Sequence, residues 1–472
     1  MSSETKIRFR LPWVACAVAA TFIWLSPGIT RVMQLRAQIP QASPSPKPDD
    51  RFKTDILVIV AHPDDETMVT GYLARAIYDE HKRVAVIFGT RGNGGGNAVG
   101  WEQSESLGEI RKIEARKALE YFGVMNVWFL NGPDTPSQNV LWSLETWNHG
   151  QALDEAVRLV RLTRPEVILT WLPDYVAGEN HGDHQAAGVI ATEAFDMAGD
   201  PTKFPEQLAA PRNRTGIANL TEGLRPWQPK KLYYFSDASH TRFLENRGPS
   251  YATTGISPSR HEPYYRLKAE EMKFHLTQDD TGMMASKALE SGDMDYFKQP
   301  ELLVLGKSLV GGSVTGDIFE GIKPGPIPFA RVPGYQPESH RGVWIELGGS
   351  WAFYHEFWKA QGIEQIAKLL SQPEVSVGAG NTLYIPLVIH NDTAEDADVT
   401  LTITASSPLK EGFGSARYPV RAHDVYPVET GVEVPPGMAS GWKQVSFKAG
   451  SGNQSVGDIS VRVQVGSGGL PE

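Results

Sequence analysis

Cysteine is all but missing from this chain. Its 472 residues contain one, Cys16, and that one lies in an apolar stretch near the N-terminus. The rest of the chain therefore offers no disulfide framework, no thiolate metal site and no cysteine nucleophile. Positive charge is outweighed as well: 45 Lys and Arg stand against 55 Asp and Glu, a formal net charge of -10. Without a broad basic footprint to neutralise phosphates, a general nucleic-acid partner is excluded. No internal repeat marks a solenoid. What remains is ordinary globular composition, 41% hydrophobic and 21% charged, so a core can be built without disulfides. The length suits two domains better than one.

The N-terminus has the pattern of an export signal. Lys6, Arg8 and Arg10 precede an uncharged, mostly apolar run over residues 11–25, the length of a signal-peptide core and short for a membrane span. Ala37 offers a cleavage point, although Leu35 stands where a small residue is preferred. Release after cleavage, retention as an N-terminal membrane anchor, and burial of a helix in the fold are the three ways to take this segment out of water. Residues 1–37 are thus expected to be signal or anchor. Residues 38–53 (AQIPQASPSPKPDDRF) form a Pro/Ser-rich linker.

From residue 56 to 236 short apolar runs alternate with helical patterns. Runs at 56–60, 83–89, 127–130, 167–172 and 232–235 are fully apolar or nearly so, and helical spacing is found at 67–81, 102–121, 151–162 and 185–197. Strands without a polar face that alternate with helices predict an α/β fold: a doubly wound, mostly parallel sheet covered on both sides. Residues 199–230, 237–265 and 320–342 have loop composition, and residues 350–370 suit one more helix. Beyond residue 374 the pattern changes to short alternating Thr/Val-rich segments separated by turns, which predicts a C-terminal all-β sandwich.

Two polar clusters interrupt this plan at equivalent places. Ala61-His62-Pro63-Asp64-Asp65-Glu66 follows the first apolar run, and Asn180-His181-Gly182-Asp183-His184 follows the run at 167–172. An Asp at a strand-to-helix turn is a good N-cap, which accounts for one acid in each. It does not account for three histidines and four acids at the carboxyl edge of a sheet, where open α/β folds bind ligands. A His/Asp/His set is zinc chemistry that needs no thiolate. The run Gly92-Asn93-Gly94-Gly95-Gly96-Asn97 lacks the Gly-Lys-Ser/Thr ending of a phosphate loop and reads instead as a loop shaping the rim. Trp101, Trp142, Trp147 and Trp171 lie near the same edge, suited to sugar rings or simple packing. His149, His240, His261 and His355 have no motif around them.

On these motifs the chain resembles the PIG-L/LmbE-like deacetylases, a family that includes N-acetylglucosaminyl-phosphatidylinositol de-N-acetylase and the bacterial deacetylases of mycothiol and bacillithiol synthesis. The resemblance runs over residues 53–280. It is supported by Gly89-Thr90-Arg91-Gly92, by Glu109-Ile110-Arg111 with Glu114, and by His275-Leu276-Thr277-Gln278. It implies a Rossmann-like layer sandwich, which is expected over residues 54–345; the sequence pattern adds a connecting helix or linker over 346–373 and the β-sandwich over 374–472. The resemblance also implies that His62, Asp65 and His184 hold Zn2+ or another divalent ion, with Asp64 as general base. His181 would stabilise or protonate the tetrahedral intermediate, Asp183 would orient and charge that ring, Glu66 would support the motif, and Arg111 would contact substrate. The implied reaction is removal of an acyl group from an amide nitrogen of a small molecule or glycan, N-acetylglucosamine-like by resemblance. A non-sugar amide, or a non-catalytic carbohydrate-binding role on the same fold, is the alternative. An exported enzyme points away from cytosolic thiol conjugates. Oligomeric state is not legible.

Overall fold

The computed structural model describes residues 50–175, 181–208, 224–238, 241–322, 342–369 and 372–466, all within one compact unit, Pro46–Glu472. The N-terminal apolar segment with Cys16 and Ala37, most of the Pro/Ser-rich linker, Asn180, His240 and parts of the three long loops lie outside the described residues.

The first layer is a six-stranded sheet. Its strands are β1 (Ile56–Val60), β2 (Val84–Phe88), β3 (Val127–Phe129), β4 (Val167–Trp171) and β5 (Lys231–Phe235); a short β6 (Ser250–Tyr251) pairs with β7 (Glu301–Leu302) outside it, and β8 (Val304–Ser308) completes it. The order is β3-β2-β1-β4-β5-β8. The first five are parallel, and β8 runs antiparallel to β5 at the edge. Every residue of β1, β2, β4 and β5 is buried, because helices cover both faces. The helices of this region are α1 (Thr70–Tyr78), α2 (Ser104–Tyr121), α3 (Val140–Thr146), α4 (His149–Thr163), α5 (Gly182–Met197), α6 (Tyr264–Met272) and α7 (Met284–Ser291), the last packed on α6. The chain winds outward from β1 in one direction and from β4 in the other, so the seam between these two strands is the topological switch point, where a ligand crevice forms.

The second layer is a sandwich. Sheets β10-β17-β16-β12-β14 and β13-β15-β11-β9 face each other. Their strands are β9 (Val343–Leu347), β10 (Glu374–Gly378), β11 (Thr382–Asn391), β12 (Ala397–Ala405), β13 (Lys410–Phe413), β14 (Ala416–Val420), β15 (Asp424–Glu433), β16 (Gly441–Ser451) and β17 (Gln454–Gly466). Alternate residues of β11 (Leu383, Ile385, Leu387, Ile389) and of β17 (Val461, Val463, Val465) point into one apolar core, as strand periodicity requires.

The observed boundary corrects the expected one. β9 pairs with β11 and belongs to the sandwich, so a cut at residue 345 would split a strand. The following helix α8 (Ser350–Gln361) is no linker: Tyr354, Phe357 and Trp358 are buried in the α/β core. The two layers are interleaved in sequence. The Pro/Gly-dense run before Val343 hides β9, and Pro427 with Gly431 hides β15.

Candidate metal centre and active site

The turn that follows β1 sets the first half of the site. Asp65 Oδ2 accepts hydrogen bonds from the Ala61 and His62 amides at 2.9 and 2.8 Å and from Trp171 Nε1 at 2.7 Å. That directs Oδ1 between two rings, 3.7 Å from His62 Nδ1 and 3.4 Å from His184 Nε2. Burial opposes the charge, but the facing His184 and His62 rings outweigh it and hold the Asp65 carboxyl well below the usual carboxylate range. Asp64 points elsewhere because its backbone is left-handed, φ 112° and ψ -16°. Such a conformation is costly for a residue with a Cβ and is kept where its surroundings enforce it. Its Oδ2 accepts from Thr281 Oγ1 at 2.8 Å. Burial, then the adjacent Asp65 charge, push its carboxyl up to about 7, the range in which a general base works best at neutral pH.

The segment after α6 clamps this turn. Gln278 Nε2 donates to Pro63 O at 2.5 Å. His275 Nε2 lies 2.9 Å from Glu66 Oε1, and Glu66 Oε2 accepts from the Asp64 amide at 3.0 Å. Glu66 is therefore a support beneath the motif, in keeping with its expected role.

The second half opens α5. His184 stacks on Trp171 at 4.0 Å between centroids and 4° between planes. Trp171 thus fixes two of the expected ligands, Asp65 and His184, from the core, being 1% exposed, and it is not a platform for substrate. The His181 ring centroid lies 4.9 Å from that of His62 and 5.3 Å from that of His184. Its Nδ1 is buried without a hydrogen-bond partner. Burial, then the His62 and His184 rings, push His181 down to about 4. Asp183 favours charge on His181, as expected, but burial and the two neighbouring rings outweigh it; Asp183 itself accepts from the Thr135 amide at 2.9 Å and from Thr135 Oγ1 at 2.8 Å, and approaches His62 Nε2 at 3.5 Å.

Asp134 is a site residue that sequence reasoning missed. It follows β3 in the run Asn131-Gly132-Pro133-Asp134-Thr135 and carries no motif. Its Oδ1 is 3.1 Å from His62 Nε2, and its Oδ2 accepts from the Gly94 amide at 2.8 Å. A carboxylate behind a ligand imidazole fixes its ring and raises its basicity. Burial disfavours charge on His62, yet Asp134 and Asp65 hold that ring well above its ordinary value. Asp237, after β5, stands 4.0 Å from His184 Nδ1 and was also missed. A lone Asp in a loop is too common a turn residue to signal either one.

Arg111, expected to contact substrate, holds the loop beside the site. Its guanidinium donates to Gly92 O and Gly96 O, both at 2.7 Å, and to Thr277 Oγ1 at 3.3 Å, so it organises the glycine-rich loop. Gly92 has φ +66°, and a Cβ there would meet Arg111 at 3.0 Å, which is why glycine suits the position. Of the remaining aromatics, Trp147 is buried under the loop's start, while Trp101 is 97% exposed beside it. His149 pairs with Glu193 and His355 with Glu346, so both are structural.

The residues fit a metal ion. A cation with bonds of about 2.0–2.2 Å in tetrahedral array holds its ligand atoms ~3.4 Å apart, close to the 3.7 and 3.4 Å by which Asp65 Oδ1 stands from its two rings. Two imidazoles and a carboxylate are suitable donors. His62, His181 and His184 also offer atoms within 4.8 Å of one another. His62, Asp134, His181 and Asp183 do so as well, so His62 has carboxylates on two sides, and the set with Asp65 is the one that the family resemblance implies.

Residues 57–195 match the family model PIG-L, "GlcNAc-PI de-N-acetylase". Over 331 residues the chain is 30% identical to the 1D-myo-inositol 2-acetamido-2-deoxy-alpha-D-glucopyranoside deacetylase 1 of Catenulispora acidiphila, covering 62% of this chain and 95% of that relative. The chain belongs to the PIG-L family. A second PIG-L relative, the corresponding deacetylase of Streptomyces scabiei, is 28% identical over 317 residues, covering 60% of this chain and 95% of its own length. Among solved structures, the N,N'-diacetylchitobiose deacetylase of Pyrococcus horikoshii is similar at 16% identity and a TM-score of 0.38, covering 60% of this chain and 94% of its own. Both paired motifs of this PIG-L chain fall inside the matched region, and the family is one of deacetylases acting on N-acetyl amides. The sandwich and α8 lie outside residues 57–195.

Proposed function

We propose that this chain is a zinc-dependent N-deacetylase that hydrolyses the acetamide of an N-acetylglucosamine-type glycan or glycolipid. The observation that carries the reading is the divergence of two adjacent carboxylates: Asp65 faces His62 and His184, while the left-handed backbone at Asp64 turns its carboxyl away from that set. One acid is free to ligate and the other to move a proton. His62, Asp65 and His184 would hold the ion, which when bound lowers the pKa of water toward ~7 and polarises an amide carbonyl.

The chain's own groups account for the rest. Asp64 takes a proton from the attacking water as the C–O bond forms. His181, whose ring borders both His62 and His184, hydrogen-bonds the developing oxyanion. When the C–N bond breaks, the nitrogen takes back the proton held by Asp64, and the amine and acetic acid leave, the acid's proton passing on to give acetate and the ammonium form of the amine. General acid–base work of this kind is worth about 10²- to 10⁴-fold. Arg111 and Asp134 set the glycine-rich loop that forms one wall. The substrate class rests on the relatives, which are named for a 2-acetamido-2-deoxy-glucopyranoside of inositol. The N-terminal apolar segment favours an envelope or extracellular substrate.

Metal content and acetate release, measured on the same sample over a panel of N-acetylated sugars, test this reading. One zinc per chain with release cut by about 10²-fold or more in Asp64→Ala, the metal being retained, is the expected result. Bound metal with turnover only of non-sugar amides would change the substrate class. No metal after reconstitution would overturn the reading.

A further inference from the structure

We infer that the C-terminal region does more than accompany the deacetylase domain: α8, the helix that leads into the sandwich, positions the catalytic His181 turn through Tyr354. The inference rests on the role proposed for His181.

Four contacts join α8 to the surroundings of the His181 turn: two to the connection between β4 and α5, one to the cap of α3 and one to α5 itself. Trp358 Nε1 donates to Pro173 O at 3.2 Å, and Trp351 packs edge-on against Tyr175 at 5.2 Å. Ser350 Oγ donates to Asn139 Oδ1 at 3.0 Å, and Asn139 caps α3 beside the His181 turn. The fourth contact is the closest to the chemistry. Tyr354 Oη donates to Gln185 Oε1 at 2.6 Å, and Gln185 Nε2 donates to the His181 carbonyl at 3.3 Å. Tyr354 and Gln185 are both 0% exposed. A buried amide held at its oxygen cannot rotate without leaving a polar group unpaired, so Tyr354 fixes the amide that in turn holds the backbone of His181.

The turn is tightly seated from its other side as well. Gly182 N donates to Ser137 O at 2.5 Å. A Cβ on Gly182 would come 2.5 Å from Ser143 Oγ and 2.9 Å from Asn139 O. His181 is therefore gripped between α3 and α8, and only the α3 side lies within the region that matches the family. The sandwich is tied to the same helix, since His355 Nδ1 on α8 lies 2.9 Å from Glu346 Oε2 on β9.

Tyr354→Phe in the full chain tests the inference, because it removes the hydroxyl and keeps the ring. Hydrogen exchange of the amides at 181–190 should rise while exchange elsewhere and the metal content hold. kcat should fall roughly tenfold with KM nearly unchanged, short of the ~100-fold that a 1 Å misplacement can cost. Gln185→Glu keeps the acceptor for Tyr354 and loses the donor to His181, so it should behave like Tyr354→Phe. Unchanged exchange at 181–190 overturns the inference even if no substrate has been found. Raised exchange with unchanged kcat in an active enzyme overturns it too, and a fall in melting temperature alone would mark Tyr354 as merely structural.

Discussion

The two layers of this molecule solve the problem of burial in opposite ways. The sandwich core is Val, Ile, Leu and Phe, and between residues 372 and 466 the buried polar side chains are Glu374, Asn391 and Thr430. Thr430 Oγ1 is satisfied by Ile385 O, and Asn391 Nδ2 by the Val420, Arg421 and Glu395 carbonyls. The α/β layer instead buries Asp65, Glu66, Arg111, Glu114, Asp183, Glu271 and His275, most of them around one crevice. Burying charge is expensive unless it is paired. A layer that carries so much of it has given up stability for chemistry, whereas the apolar layer has kept its stability and carries none of the proposed catalytic groups.

That contrast can be broken at Asp134, in the charged layer. Asp134→Ala removes the carboxylate behind His62 and the acceptor of the Gly94 amide. Metal affinity, measured by chelator competition, should fall about 10- to 100-fold, as for other residues that orient a ligand imidazole. Unchanged affinity would remove Asp134 from the site. The apolar layer should answer differently. Phe447→Leu, at a position 0% exposed in the sandwich core, should lower stability by about 1–2 kcal/mol and leave kcat of the folded enzyme and its metal content unchanged. A fall in kcat at full metal occupancy would mean that the sandwich core itself shapes the site.

The smallest effect is expected where the layers meet. Burial works against the charge on Glu346, but hydrogen bonds from His355 and His390 outweigh it and lower its pKa below the ordinary 4.5. The bond to Glu346 raises His355 above the ordinary 6.5. The Glu346 contribution is complete above 4.5 and is lost as pH falls through its lowered value. The His355 contribution is complete below 6.5 and is lost as pH rises through its raised value. Their overlap is strongest between these limits, and half-exposure of His355 keeps it to at most about 1 kcal/mol. The difference in melting temperature between the native chain and Glu346→Gln should therefore peak between pH 4.5 and 6.5. A difference independent of pH would show that the contact contributes packing alone.

The same contrast explains what the sequence discloses. Fully apolar runs such as Ile56–Val60 can only be strands buried on both faces, so the parallel sheet is legible from them, and the two His/Asp clusters stand out against it. The antiparallel β8 escapes, because Gly306 and Lys307 break its apolar run. The parts of the site that came without a motif, Asp134 and Asp237, are single acids in loops, brought in by the fold rather than by spacing. Arg111 and Asp183 are legible as positions, but the loop carbonyls and the Thr135 groups that they hold are not, since which neighbour a side chain meets depends on loops whose course no local pattern records. The burial of α8 was hidden for a related reason: its aromatics fit a surface helix as well as a core one until its partners, Pro173 and Gln185, are known.

The order of the interleaved elements also bears on how the chain is made. Tyr354, Phe357, Trp358, Ile363 and Ile366 complete the α/β core, yet they follow β9, whose hydrogen-bonding partner β11 comes later still. During synthesis from the N-terminus the first layer cannot close until these residues emerge, and β9 must then wait, unpaired, for β11. Domains that fold vectorially usually finish one before beginning the next. Here the crevice and the sandwich mature together, so a nascent chain stalled between residues 320 and 380 would expose an unfinished apolar surface to the quality-control machinery of its compartment.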